Sequence, residues 1–291
     1  MNPEPKIVLS ASRRTDIPAF YMPWFMQRIK SGVFEVANPY NRRVKKVPAN
    51  PTEVHTIVFW SKNFDLFLKK RYGQNLQKAG YNLFFNFTIN SYAPRLEPHV
   101  PPLEVRLAQL EQLCDRFGAR AINWRFDPIC YFRTPIGMVE DNLDDLNRIA
   151  EKAAECGIRR CITSFMDLYP KIKSRLTTTM NFSFSDPPLK IKKEIILKIE
   201  QTLIAAGINL KLCCEKEVLG ALPATTTVTE SSCIPNDLLV ELYGGSLSLK
   251  KDTGQRVQKG CGCKVSVDIG SYHHQPCYHN CLFCYANPAS R

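Results

Sequence analysis

No apolar run among the 291 residues approaches the roughly 18–20 needed to span a bilayer, so membrane-spanning helices are not expected. The opening stretch MNPEPKIVLSASRRTD sets charge on both sides of a short apolar run and lacks the shape of a signal peptide. A secreted protein is therefore not expected, and the cytoplasm is the default. Walker-type and dinucleotide-binding glycine fingerprints are missing, which leaves nucleotide hydrolysis and nicotinamide binding without support. Internal repeats, linker-like low-complexity stretches and a long basic tail are missing too. What remains is ordinary globular composition, 44% hydrophobic and 23% charged, which argues against disorder. The length allows one large α/β domain or two smaller ones.

Charge is the first positive feature. Lys and Arg number 39 against 27 Asp and Glu, a formal net charge of +12 that suits an anionic small molecule or a nucleic acid. The cations come in scattered pairs, Arg13-Arg14, Arg42-Arg43, Lys45-Lys46, Lys69-Lys70 and Lys192-Lys193, as on a solvated surface.

Short β-branched or aromatic runs alternate with helical patterns along the chain. The expected strands are Ile7–Ser10, His55–Ser61, Asn82–Asn90, Ala121–Asp127, Arg160–Phe165 and Ile208–Cys214, apolar enough to be buried on both faces of a parallel sheet. Helices are expected over Ile17–Lys30, Pro102–Phe117, Asp141–Cys156 and Leu189–Ala206, the last three closed by glycine. Phe34–Val47, with Asn-Pro-Tyr-Asn in its middle, reads as a hairpin. Six β–α units in a row predict an α/β fold, a partial or full (β/α) barrel, with a doubly wound open sheet as the competitor. The division expected is 1–217 as the barrel core and 218–291 as a cysteine-rich segment packed on the same domain, with one short helix near Asn236–Tyr243.

Cysteine usage carries the chemistry. Of twelve cysteines, Cys261, Cys263, Cys277, Cys281 and Cys284 fall in the last 31 residues, and in a reducing compartment such clustering points to metal or redox chemistry before disulfides. Cys277, Cys281 and Cys284 form a C-x3-C-x2-C triplet. Three thiolates this close wrap a compact polynuclear centre, a 4Fe–4S cluster with one open iron, or else a zinc ion in a Cys3His set with His273, His274 or His279. Upstream, Cys213-Cys214, Cys233 and Cys261-Gly-Cys263 supply five more thiols. Four of them, Cys214, Cys233, Cys261 and Cys263, are the expected ligands of a second, auxiliary cluster; the other reading makes Cys213 and Cys214 the end of a buried strand and Cys-Gly-Cys part of a zinc site. Cys114, Cys130, Cys156 and Cys161 lack ligand spacing and read as core thiols.

Polar residues at the C-terminal ends of barrel strands line the active site. They are Ser12, Arg13, Arg14, Thr15 and Asp16, then Lys62, Asn63, Asn86, Thr88, Arg125, Asp127, Ser164, Asp167 and Glu215. Arg13 or Arg14 suits a carboxylate or phosphate through paired donors. Asp16 or Glu215 suits an ammonium group or ribose hydroxyls, although Asp16 serves equally as a helix cap before Ile17-Pro18. Arg125 and Asp127 share one strand face, either to pair with each other or to contact substrate. Neither His55 nor His99 has a partner at motif spacing. Arg/Lys pairs near Tyr40, Trp60 and Phe132 keep open the alternative of a nucleic-acid-binding or repair protein whose cysteines are structural.

The triplet, with Phe283 directly before its third cysteine, resembles the radical S-adenosylmethionine superfamily. That resemblance implies a 4Fe–4S cluster on Cys277, Cys281 and Cys284, S-adenosylmethionine on its open iron, and an electron donor such as flavodoxin or ferredoxin. Ser10–Tyr21 (SASRRTDIPAFY), Val58–Asn63 (VFWSKN), Trp124–Pro128 (WRFDP), Val267–Gly270 (VDIG) and the closing CYAN at 284–287 together resemble, from about Lys6 to Asn287, the bacterial family called domain of unknown function 1848. WRFDP is also similar to a stretch in spore photoproduct lyases. Superfamily members carry the triplet after the first barrel strand, whereas here it ends the chain. A circular permutation reconciles the two, with Lys264–Ile269 in place of the first strand and Ile7–Ser10 as the next.

Overall fold

The computed structural model describes residues 6–38, 41–134, 136–176 and 182–286; Pro39, Tyr40 and Asn287 lie outside them. The apolar runs lie side by side as strands. In chain order these are β1 (Ile7–Ala11), a hairpin of β2 (Val33–Ala37) and β3 (Val44–Pro48), β4 (Val54–Ser61), β5 (Asn82–Thr88) and β6 (Ile122–Ile129). There follow β7 (Tyr131–Arg133), β8 (Val139–Asp141), β9 (Arg160–Phe165), β10 (Ser183–Ser185), β11 (Asn209–Leu212), β12 (Thr229–Glu230) and β13 (Val267–Ile269). Eight of them make one parallel sheet in the order β12-β11-β9-β6-β5-β4-β1-β13. A small antiparallel sheet, β10-β7-β8, and the β2-β3 hairpin stand apart from it.

Strand order follows chain order except at one end. The last strand, β13, pairs with the first, Leu9 opposite Val267, Ser10 opposite Asp268 and Ala11 opposite Ile269. Among the described residues β12 and β13 are the two edges, and no ladder joins them. A doubly wound sheet carries a layer of helices on each face; among the described residues the second face carries only one α-helix, α10 (Asn236–Tyr243). The helices α1 (Ile17–Phe20), α2 (Met22–Ser31), α3 (Asp65–Lys69), α4 (Tyr72–Lys78), α5 (Leu103–Phe117) and α6 (Leu146–Glu155) begin a series that covers one face. After α7 (Pro170–Leu176), α8 (Leu189–Ala205) and α9 (Lys216–Ala221) complete that cover.

Side-chain alternation produces this two-faced sheet. Leu9, Ile57, Phe85, Trp124, Cys161 and Leu210 point into the helical layer. Their alternates Val8, Val58, Phe84 and Ile162 face the other way, against Cys233, Ile234, Cys261, Cys263 and Leu239 of α10 (Asn236–Tyr243). Residues 231–264 therefore fill the second face as a plug of loop with one helix. Burying each such aromatic or aliphatic side chain contributes about 2 kcal/mol, and that makes both faces necessary.

Three local departures from the pattern have clear causes. The helix expected over Ile17–Lys30 is broken at Tyr21 into α1 and α2, because Pro23 has no N–H and fits only the first turn of a new helix. The helix expected from Asp141 starts at Leu146, since Val139–Asp141 pairs with β7 instead. Past Glu217, where the alternation weakens, β12 and β13 still join the main sheet, as strands too short to show a period. No helix among the described residues is long and apolar enough to cross a membrane.

Candidate functional site

The C-terminal segment reaches the C-terminal ends of β1 and β4 because β13 delivers it there. Its anchor is His279, buried between the first and second cysteines of the triplet. His279 Nε2 lies 2.9 Å from Asp16 Oδ2, and Nδ1 lies 3.2 Å from the carbonyl of His99. Asp16 is also the cap of α1, accepting from Ala19 N at 3.0 Å, and it accepts from Ser61 Oγ and Lys62 N as well. The cap and the anchor are thus one carboxylate. Tyr21 OH donates to the Pro276 carbonyl at 2.6 Å, and Leu282 N to that of Leu96 at 2.9 Å.

Around this anchor Cys281 is buried and Cys277 and Cys284 half-buried, within electrostatic reach of one another. Burial pushes the Cys277 thiol up to about 12, with Asp16 adding to the rise and Lys62 opposing it. Burial likewise holds Cys281 well above the ordinary thiol range. Ligation there would release protons, as it does wherever a metal takes up thiolates. Beside Cys281 sits a buried ion pair, Lys62 Nζ to Glu97 Oε1 at 2.5 Å, with the ammonium 5.4 Å from the centre of the Phe283 ring. Burial by itself would lower the Lys62 ammonium; Glu97 and Cys281 outweigh it and hold it above its usual value.

The second thiol group is closer packed. Cys213 Sγ and Cys214 Sγ are 3.8 Å apart, and thiol contacts run on from Cys213 to Cys233, to Cys263, to Cys261 and back to Cys214. Five sulfurs from three segments close a ring. Cys213 follows β11, Cys233 follows β12, and Cys261 and Cys263 belong to the plug. Cys213 N donates to the Thr163 carbonyl at 2.8 Å, Asn86 Nδ2 to that of Cys233 at 2.9 Å, and Lys264 N to that of Ile234 at 3.0 Å. Gly262 is obligatory there: a Cβ would lie 2.4 Å from the Ser231 carbonyl oxygen. Hydrogen bonds from neighbouring thiols, together with Arg125 at Cys213 and Arg13 at Cys263, hold these two thiols well below their usual value.

Beside the ring, Trp60 packs against two guanidiniums, Arg13 at 5.2 Å from its ring centre and Arg125 at 4.8 Å. Arg13 pairs with Asp268 at 3.1 Å and lies 3.7 Å from Asp252; Arg125 pairs with Asp127, which also accepts from Ser164 Oγ. Burial works against both guanidinium charges, but Asp268 beside Arg13 and Asp127 beside Arg125 raise their affinity for the proton. Arg13 Nη2, Arg125 Nε and Trp60 Nε1 are nonetheless buried without a hydrogen-bond partner.

The remaining strand-end residues divide clearly. Arg14 donates to the carbonyls of Ala37 and Gly270 and fastens the loop after β1. Ser12 Oγ accepts from Ile17 N. Thr15 Oγ1 is buried without a partner. Asn63 orders the start of α3, and Asn86 lies in the ring's floor. Asp167 is bound to Arg256 and Lys259. Glu215 accepts from Phe165 N at 2.8 Å, and burial raises its carboxyl to about 7 against that hydrogen bond and the nearby Lys192. His55 bridges Thr56 and the Gly244 carbonyl, while Arg42, Arg43, Lys45 and Lys46 are exposed on the β2-β3 hairpin. Sequence reasoning passed over Glu97 and the joint role of Asp16 and His279; no motif marks either, since Glu97 lies 35 positions from Lys62 and Asp16 lies 263 from His279.

Among the described residues no group of three or more His, Cys, Asp and Glu side chains is arranged to hold a metal ion. His279 turns both ring nitrogens to oxygens and His273 and His274 are exposed, so a Cys3His zinc set is not formed. A polynuclear cluster binds each thiolate to a different iron and needs no such convergence on a single point. By donor type, three cysteines in one tight loop and five in a ring both fit iron–sulfur ligation.

A search of curated proteins finds no match. Among solved structures, a Rhizobium etli pyruvate carboxylase variant with the allosteric activator acetyl coenzyme-A is similar at 10% identity and a TM-score of 0.33 over 84% of this chain. The match covers 26% of that chain, so this protein spans about a quarter of its length, and so slight a likeness carries no argument. The family model described as Domain of unknown function (DUF1848) matches residues 8–286, a span that takes in all of the parallel sheet but Ile7 and both cysteine groups, and the chain belongs to that family.

Proposed function

We propose that the protein is a radical S-adenosylmethionine enzyme whose 4Fe–4S cluster is held by Cys277, Cys281 and Cys284. The observation that carries this reading is the parallel pairing of β13 with β1, which brings the three thiols over the C-terminal ends of the strands. There, in (β/α) folds, active sites form. The chain-ordered parallel strands with helices on one face support a partial barrel in circularly permuted order, β13 in first place and β1 in second. When bound, the cluster and its cofactor supply one-electron cleavage of a sulfonium to a 5′-deoxyadenosyl radical.

The chain's own residues have separate tasks. Asp16 and His279 fix the triplet loop, so that the three thiols are set before any metal arrives. The Lys62 ammonium lies beside the thiols and offsets the negative charge they acquire on ligation. Glu97 keeps that ammonium in place. Phe20, at 4.8 Å from the His279 ring, and the buried Phe283 set apolar surface against the loop. A one-electron donor such as a flavodoxin or ferredoxin is the partner this chemistry needs.

The test is turnover of S-adenosylmethionine by reduced protein purified without oxygen. Methionine and 5′-deoxyadenosine are expected from the wild type and only background from the Cys277→Ala/Cys281→Ala/Cys284→Ala variant. Equal yields from both, or a wild-type protein carrying zinc and no iron at the triplet, would overturn the reading.

A further inference from the structure

We propose that the ring of Cys213, Cys214, Cys233, Cys261 and Cys263 binds a second iron–sulfur cluster, and that Arg13, Trp60 and Arg125 donate hydrogen bonds to its sulfurs. The ring shares no residue with the triplet, so this site stands or falls independently of the radical chemistry.

Two independent observations lead here. The first is convergence. Residues up to 50 positions apart bring five soft ligands into one ring of contacts on the second face of the sheet, beside Ile234 and Leu239. Their backbone is held at some cost: Cys214 adopts a left-handed φ of 61°, uncommon for a residue with a side chain, and Gly262 passes so close to Ser231 that no other residue fits. A set of ordinary core thiols needs neither.

The second observation is the unsatisfied donors. A buried N–H without an acceptor keeps its desolvation cost uncompensated, and here three of them, Arg13 Nη2, Trp60 Nε1 and Arg125 Nε, belong to one trio. Both guanidiniums lie within electrostatic reach of Cys233 and Cys263, and Arg125 of Cys213 as well. Asp127 and Asp268 bind other nitrogens of the same two side chains and leave these donors unused. What is missing is an anionic acceptor on the sulfur side. A cluster with cysteine thiolates is such an acceptor, and hydrogen bonds and net charge at its sulfurs set its reduction potential. Five thiols exceed by one the four that such a cluster takes.

The experiment uses full-length protein purified without oxygen and measures iron, acid-labile sulfide and the paramagnetic signal after reduction by dithionite. The Cys277→Ala/Cys281→Ala/Cys284→Ala variant should keep about four irons per chain and a signal that does not respond to S-adenosylmethionine. Adding Cys233→Ser and Cys263→Ser to it should remove them. In the triplet variant, Arg125→Gln should keep the iron and move the reduction midpoint to a more negative value, because a positive donor no longer stabilises the reduced, more negative cluster. This variant reads the site even where loss of ring cysteines prevents folding. A triplet variant free of iron, zinc in the ring, or a disulfide between ring cysteines in anaerobic protein would overturn the proposal. Failure of the radical reading looks different: iron unaffected by the triplet substitutions and no cleavage of S-adenosylmethionine by the wild type.

Discussion

Asp16 ties four things together at the scale of single residues: the first turn of α1, the Ser61 hydroxyl, the Lys62 amide and the His279 ring. Cutting it to alanine strips a cap and leaves buried donors without an acceptor. Asp16→Ala should therefore lower the unfolding free energy by about 3 kcal/mol in a denaturant titration, well above the effect of losing a cap alone. His279→Ala removes only one of these links. It should cost less stability yet reduce the iron retained by the triplet, since the loop loses its anchor at β1. Gly262→Ala is the matching change at the ring. Its methyl would collide with the Ser231 carbonyl, so the plug must shift and ring iron should fall while triplet iron stays.

Between elements, α8 is fastened to the approach of β12 by Glu200, which accepts from Thr227 N at 2.6 Å, Thr227 Oγ1 at 2.8 Å and Thr226 Oγ1 at 2.9 Å. Burial would push this carboxyl up, but those hydrogen bonds prevail and hold it below its usual value. A depressed carboxylate contributes stability that is present above its unfolded value, near 4.5, and is lost as pH falls through the folded value. Thr227→Val keeps the shape and removes one side-chain donor. The variant should be less stable by about 1 kcal/mol at pH 7. The gap between variant and wild type should close as acidification carries the pH below 4.5 and through the lowered value of the folded carboxyl. A gap that persists in acid would mean that packing, not the charge-assisted bond, holds α8 there.

At the scale of the whole molecule, the last strand lies beside the first and parallel to it, so a sheet wound in one direction is completed by the chain's final described segment. Contacts of this kind depend on which strands are neighbours and not on where the chain is cut. A rewired chain in which 264–286 precede residue 6 through a flexible linker should keep the far-ultraviolet circular dichroism of the native order and its iron content. An unfolded product would show that the order of synthesis matters to the sheet beyond its pairing.

How much of this was legible depends on length and distance. Six strands of the main sheet stand out as apolar runs because they are buried on both faces, and α5 and α8 because sixteen or so residues give the helical period room to appear. β12 and β13, two and three residues long, are too short for any period, and the terminal strand was reached only through a resemblance. Cysteine spacing marked the triplet, since its three thiols sit within eight residues of chain. It marked all five members of the ring as one group but left Cys213 out of the chosen four, because Cys213 follows a strand like any core residue until Cys233 is brought against it. Glu97, Asp16 with His279, and the Arg13–Trp60–Arg125 trio join residues 35 to 263 positions apart. Local pattern thus determined the alternation of strands and helices, the family and the three-cysteine loop, all set by neighbours in the chain. Only the tertiary structure decided which face of the sheet meets thiols, which carboxylate anchors the loop and which buried donors are left over, because burial and long-range pairing exist only once the chain has closed on itself.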